Sequence, residues 1–311
     1  MRARQPRVRD HGVRPTAVLL ASVTCWSLNF TLVKYGLTHG YSPMVFVAVR
    51  WSLAAAVFVG ACLIAERSLW LPRRDVVVLA LAASAGIWLN QLALAYGLNA
   101  AGASAIALVF GMLPVLTSLL AGALRIERIG RRHWIGVGVS FAGVTCVAVG
   151  SEGSTDGSVR GIVFALAAVM TFAVYAVTIF PLMARSSPLR VNAVGSMFGG
   201  ALLLATSGHA LVVQDWNGVP ALAWGALLAS SLVSLVAGNG LWLVGMRAVG
   251  PARASIFGNL QPFLGALIAA AVLSERLSAL SIAGGALLLV AVFGVARRSP
   301  PVLARAAESA A

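Results

Sequence analysis

Apolar residues run through this chain in stretches of 17 to 26, separated by short clusters of arginine, proline, glycine and other polar residues. Cutting at those clusters predicts ten helices, at 16–37, 43–65, 75–97, 102–124, 132–150, 161–183, 191–207, 220–245, 251–273 and 280–296. A bilayer core takes about 20 residues of helix, with roughly 17 to 25 tolerated, so each run is long enough to span one. The basic start, Met1 to Arg14, followed by an apolar run, superficially resembles a signal peptide. That run is too long for an h-region and no clear small-residue cleavage site follows it, so it is read as a retained first span.

One stretch occurs twice. Sliding the chain by 148 positions superimposes Gly97 on Gly245, Gly102 on Gly250, Pro114 on Pro262, Glu127 and Arg128 on Glu275 and Arg276, and Gly136 on Gly284. Matches of alanine and leucine count for little in so apolar a chain, but glycines, prolines and a charged pair in register indicate two related halves.

Charge supplies the topology. With a cytoplasmic N-terminus and ten spans, 19 of the 23 Lys and Arg residues fall in cytoplasmic gaps and tails, and only Arg160 and Arg276 fall in outer gaps. That satisfies the positive-inside rule with both termini cytoplasmic. Five spans separate the two copies, so they face opposite ways. The predicted fold is an all-α integral membrane protein of ten transmembrane helices in two inverted five-helix repeats, the arrangement on which alternating-access transporters are built. The domains are a basic cytoplasmic tail at 1–15, a first repeat at 16–150, an outer linker at 151–160, a second repeat at 161–296 and a cytoplasmic tail at 297–311.

Composition agrees. At 59% hydrophobic and 10% charged over 311 residues, the chain falls in the membrane class. Its +14 net charge is spread between apolar runs and serves orientation in the lipid bilayer rather than binding of nucleic acid. Cys25, Cys62 and Cys146 lie within apolar runs without metal-ligand spacing, and no two histidines are spaced as ligands, so no metal or cofactor is expected. No phosphate-binding, zinc-protease or nucleophile-elbow motif is present, so enzyme chemistry is not expected.

The polar residues inside the runs are the candidates. Asn29, Asn90, Gln91, Asn239, Asn259 and Gln261 are costly against hydrocarbon and are expected to face the interior, where they bind a polar solute or join helices. Gln91 and Asn239 coincide on the repeat. Trp26, Trp88, Tyr96, Phe110, Tyr175, Trp242 and Phe257 accompany them, and rings with amides suit a small amphipathic substrate. Trp70, Trp134 and Trp216, beside polar gaps, read as an interfacial belt. Pro114 and Pro262 fall mid-run and predict a kink, as a hinge beside a site or for packing. Arg50 lies about 10 Å along its span and serves a site or snorkels to the interface; Lys34, nearer an end, is expected to snorkel. Glu127 and Glu275 are expected to cap the helices that follow them, with gating as the alternative. No carboxylate sits at mid-depth, so a proton relay has no seat.

The run 26–34 (WSLNFTLVK), the pair Pro43 and Arg50, the stretch 96–127 with its Gly-rich turn, and the copy ending LSER at Arg276 together resemble the two EamA domains of the drug/metabolite transporter superfamily. The resemblance covers span one to span ten. It implies two inverted five-helix repeats around a central substrate cavity and frequent export of amino acids or related metabolites. The expectation is therefore a secondary transporter in a bacterial inner membrane that exports a small amphipathic metabolite such as an amino acid by alternating access. The alternative is a non-transporting membrane sensor or assembly scaffold.

Overall fold

The computed structural model describes residues 15–123, 131–150, 155–249 and 257–296, and the regular structure among them is helical. Ten rods follow among these residues: α1 (Pro15–Thr38), α2 (Pro43–Glu66), α3 (Arg73–Ala100), α4 (103–123), α5 (Arg131–Gly150), α6 (Thr155–Arg185), α7 (Pro188–Val213), α8 (221–249), α9 (Gln261–Leu273) and α10 (Ala279–Ala296). Six of them, α1, α2, α3, α6, α7 and α8, carry an apolar stretch long enough to cross a membrane, and α4, α5, α9 and α10 are shorter apolar helices.

Local chemistry sets several of the ends. Ser42–Pro43 and Ser187–Pro188 open α2 and α7 in the same way: each serine hydroxyl accepts a backbone N–H of the first turn, from Val45 and Leu189. Proline then occupies the position where no donor is needed. Arg67, at φ 54°, turns the chain out of α2 while its N–H donates to Leu63 O. Two rods outrun the polar breaks that predicted them. α7 continues to Val213 through Ser207 and His209, because the Ser207 hydroxyl is satisfied by Met44 O on α2. α6 begins at Thr155, inside the expected linker.

The most extensive contacts each join a rod of the first five to one of the last five. α2 lies along α7, α5 along α10, α3 along α6, α1 along α8 and α9, and α4 along α9 and α6. Small side chains make these approaches close: Ala54, Ala95, Ala107, Ala165, Ala173 and Ala193 are buried. Large apolar side chains such as Ile64, Leu81, Val212, Leu222 and Leu267 point outward instead, as expected of a lipid-facing surface.

Hydrogen bonds gather the connections into two ends. At one, Gln214 bonds Ser42 N and Gly40 O, and Glu275 bonds the start of α4. There Tyr41 packs against Phe46, Trp216 and Trp224, and burial pushes its phenol up to about 12, so it remains neutral. At the other end Glu66 pairs with Arg190 at 2.9 Å and Asp75 with Arg185 at 3.2 Å, joining α2 to α7 and α3 to α6. Of the three tryptophans read as a belt, Trp70 and Trp134 are largely exposed, whereas Trp216 is partly buried and stacks on Trp224 at 5.6 Å.

Gly86 marks the tightest α3–α6 approach: a Cβ there would collide with the Tyr175 side chain. Gly86→Ala is therefore expected to destabilise by about 1–3 kcal/mol. Gly60→Ala, which meets nothing within 4 Å, should be neutral or slightly stabilising. Melting of the purified variants in detergent reads the difference, and equal midpoints would mean that α3 and α6 can separate at no cost.

Candidate functional site

Arg50 is wholly buried, with 0% of its surface exposed, and its guanidinium reaches three other rods. Nη1 donates to Asn29 Oδ1 on α1 at 2.7 Å and to Ser230 Oγ on α8 at 2.9 Å, while Nη2 donates to Gln91 Oε1 on α3. The Ser230 hydroxyl itself donates to Asn29 Oδ1 at 2.9 Å. The chain of bonds continues from Gln91 Nε2 to Asn90 Oδ1 at 2.7 Å and from Asn90 Nδ2 to Ala168 O on α6 at 2.6 Å. Ser231 closes the ring by donating to Arg50 O at 2.9 Å. Five rods meet at this junction, and Arg50 does not snorkel: its head group lies between helices.

Irregular backbone surrounds it. α3 passes through a π-helical stretch at Ser84–Leu89, just before Asn90 and Gln91, and α8 through another at Ser230–Ala237. The two nearly coincide on the 148-residue offset. A π turn inserts an extra residue and re-aims the side chains beyond it, and such turns recur at functional sites. The carbonyls nearby find partners on α1: Ser22 donates to Gly238 O at 2.7 Å and Ser27 to Gln261 O at 3.1 Å. Irregular helix also accompanies both prolines. Phe110–Met112 is a tight 3-10 turn and α4 resumes at Leu113, so Pro114 lies in a first turn. Likewise a turn at 259–260 precedes α9, and Pro262 is its second residue. Proline is tolerated there because the first turn has no N–H to lose.

The remaining candidates divide into groups. Trp26 and Trp242 lie with ring centroids 4.9 Å apart, bringing α1 against α8 one turn from Asn29. Phe110 meets Phe30 edge to face at 5.2 Å. Asn239, Phe257, Asn259 and Gln261 are partly buried, and the three amide side chains make no hydrogen bond among the described residues. Elsewhere, Trp88 donates to Thr206 on α7 at 3.0 Å, Tyr96 stacks on Phe164 of α6 at 5.8 Å, and Tyr175 is buried among Leu79, Ile179 and Val194. These three therefore lie where α3 packs on α6 and α7 rather than at the Trp26–Trp242 pair. Gln91, Asn239 and Gln261 likewise do not form one bonded set, since only Gln91 joins the Arg50 junction.

Glu275 caps a helix, but not α10. Its Oε1 accepts from Ala103 N at 2.7 Å and its Oε2 from Ser104 N at 2.9 Å and from the Ser104 hydroxyl, so it closes the start of α4 in the other half. α10 has its own cap, Ser278, whose hydroxyl accepts from Ser281 N at 3.0 Å, and this frees Glu275 to reach across. Beside it Lys34 reaches the end of the bundle and donates to Leu98 O at 2.6 Å and Ala101 O at 2.9 Å, at the carbonyl end of α3. A recess of about 390 Å³ opens here, lined by Lys34, Ser104, Glu275, Arg276 and Ser281. Glu127 lies outside the described residues. Sequence reasoning missed the serines Ser22, Ser27, Ser104, Ser230 and Ser231; the Ser230–Ser231 pair in the middle of an apolar run was the available signal.

Comparisons with known proteins agree with this architecture. The EamA-like transporter family matches twice, at residues 15–149 and 159–297. An uncharacterized transporter of Archaeoglobus fulgidus is 22% identical over 90% of this chain and 98% of its own length. A probable terminal-alkyne amino-acid exporter of Streptantibioticus cattleyicolor is 27% identical over 90% and 93%, and a probable amino-acid metabolite efflux pump of Escherichia coli is 24% identical over 88% and 92%. One crystal structure superposes with a TM-score of 0.61 at 20% identity, over 94% of this chain and 98% of that one, which supports the fold. With two matched domains covering nearly the whole length and several helices apolar enough to cross a bilayer, the chain is a multi-pass membrane protein that belongs to the EamA-like transporter family.

Proposed function

We propose that the chain is a secondary transporter that exports a small amphipathic metabolite, such as an amino acid, across a bacterial inner membrane by alternating access. In this reading all ten rods span the bilayer as two inverted five-helix repeats, with both termini and the Glu66–Arg190 end cytoplasmic and the Glu275 end outside. Reciprocal packing carries it. Exchanging each rod for the one five further on turns the α1–α8 contact into α6–α3, α1–α9 into α6–α4, and leaves α2–α7, α4–α9 and α5–α10 unchanged. Two halves that pack on each other in this way can exchange conformations, and an inward-open state then implies an outward-open one. The matching π turns and proline-led helix starts repeat the same relation. The Arg-rich Glu66 end fits the cytoplasmic side. The names of the Streptantibioticus and Escherichia relatives favour amino-acid export.

Counterflow in proteoliposomes tests the reading with a panel of amino acids, nucleosides and organic acids. At least one solute is expected to exchange saturably. Exchange should fall at least about tenfold in Asn239→Leu or Gln261→Leu variants that still elute as a single species, because each removes a partly buried amide that makes no side-chain hydrogen bond among the described residues. A panel in which nothing moves would favour a sensor or scaffold instead.

A further inference from the structure

Among the described residues Arg50 is a buried cation without a counter-charge. Its partners, Asn29, Ser230 and Gln91, are all neutral, and the ion pairs among the described residues, Arg185–Asp75 and Arg190–Glu66, lie at the far end of the bundle. The other intramembrane cation, Lys34, differs: it sits on the carbonyl end of α3 with Glu275 beside it. A helix buckle needs no charge, because neutral side chains can hydrogen-bond helices together without one. A guanidinium held in a low-dielectric interior is costly unless an anion joins it. The donor inventory points the same way. Of five N–H groups, three are used; Nε is buried with no partner, and Nη2 keeps one proton unassigned. Nε and Nη2 flank one edge of the guanidinium, the edge that holds a two-oxygen anion in a fork.

We infer that this edge of Arg50 receives the carboxylate of the transported solute, which deepens the transport reading and rests on it. One uncompensated positive charge matches a monoanionic group, whereas a phosphate dianion would leave the junction negative. Trp26 lies one turn before Asn29 on α1 with Trp242 against it, so a solute held by its carboxylate would lay its apolar part, or an ammonium, against the two rings. The edge is closed to solvent in this conformation. Admitting a solute requires α3 or α8 to shift against α2, and both carry their π-helical stretch beside the junction.

Proteoliposome counterflow with matched pairs tests this: each amino acid against its carboxamide and against the decarboxylated amine. The carboxylates are expected to exchange at least about tenfold faster than either analogue. Asn29→Asp sharpens the test, because it is nearly isosteric and supplies Arg50 with a resident carboxylate. It should fold with a melting point at or above that of the unsubstituted protein yet lose at least about tenfold of the exchange. Arg50→Gln, which keeps hydrogen bonding without charge, should abolish the preference for carboxylates. Exchange of carboxamides as fast as acids, or full exchange by Asn29→Asp, would overturn the inference while leaving transport intact. A panel in which no member moves removes the transport reading and this one with it.

Discussion

Gly284→Leu is expected to leave almost no monodisperse protein in detergent. Gly284 lies where α10 crosses α5, and a Cβ there would stand 2.5 Å from Gly143 O and 2.9 Å from Val147 N. From the other side a Cβ on Gly143 would stand 2.9 Å from Gly284 O. Both obstacles are backbone, so no side-chain rotation relieves them, and the helices must move apart along their whole contact. Overpacking of this kind costs about 3 kcal/mol or more, a large part of the 5–15 kcal/mol that holds a typical domain together. In lipid the loss is not offset by any gain from burying apolar surface, because close backbone approach is itself what joins membrane helices. Gly284→Ala should give an intermediate result. Gly138→Leu, on the same α5 but with nothing within 4 Å of its Cβ, should elute normally. A normal elution profile for Gly284→Leu would mean that the α5–α10 crossing is not required for assembly.

Much of this fold is legible in the sequence because membrane helices leave coarse marks. Helix lies on every apolar run that the polar breaks delimit, among the described residues, and the duplication of the Gly97–Gly136 stretch reappears as two matched EamA domains. The misplaced end of α7 has a physical cause. Ser207 and His209 look like a break, yet a serine hydroxyl can be satisfied on a neighbouring helix, and a linear reading cannot see Met44 O waiting for it. The prolines show the same limit: the pattern locates Pro114 and Pro262 but does not reveal the 3-10 stretch at Phe110–Met112 or the turn at 259–260 that precede them.

The buried polar junction proposed as the site was legible by residue type and illegible by pairing. Asn29, Asn90, Gln91 and Arg50 stand out because each is expensive in hydrocarbon, and the structure brings those four together. That Trp88 and Tyr96 face α6 and α7 depends on the rotation of α3, and the π turn at Ser84–Leu89 resets that rotation without leaving a sequence signature. Ser230 and Ser231 pass as ordinary small residues until α8 turns them toward Arg50. The wrong partner for Glu275 has the same origin, since chain order suggests α10 and only the packing of α9 on α4 reveals the alternative.

Glu275→Ala is expected to unlatch the Glu275 end of the bundle and slow transport at least about tenfold. The carboxylate takes two of the N–H groups that open α4, and those have no partner within the helix. Its charge also faces the positive end of the helix dipole. Losing a charged cap with three hydrogen bonds costs roughly 2–4 kcal/mol. Because Glu275 belongs to the second half and α4 to the first, that cost falls on closure of this end rather than on either half alone. In the proposed topology the closed-outward state loses its clasp and the outward-open population rises. Glu275→Gln should fall between, since its amide nitrogen faces N–H donors that it cannot accept from. The readout is accessibility. Ala105, buried at 7% exposure beside the recess, is replaced by cysteine in a background lacking Cys25, Cys62 and Cys146. Labelling by a membrane-impermeant maleimide should then accelerate when Glu275→Ala is added, and only from the periplasmic face. Acceleration from the cytoplasmic face would reverse the topology, and an unchanged rate together with unchanged transport would reduce the Glu275 contact to a cap that holds α4 without gating anything.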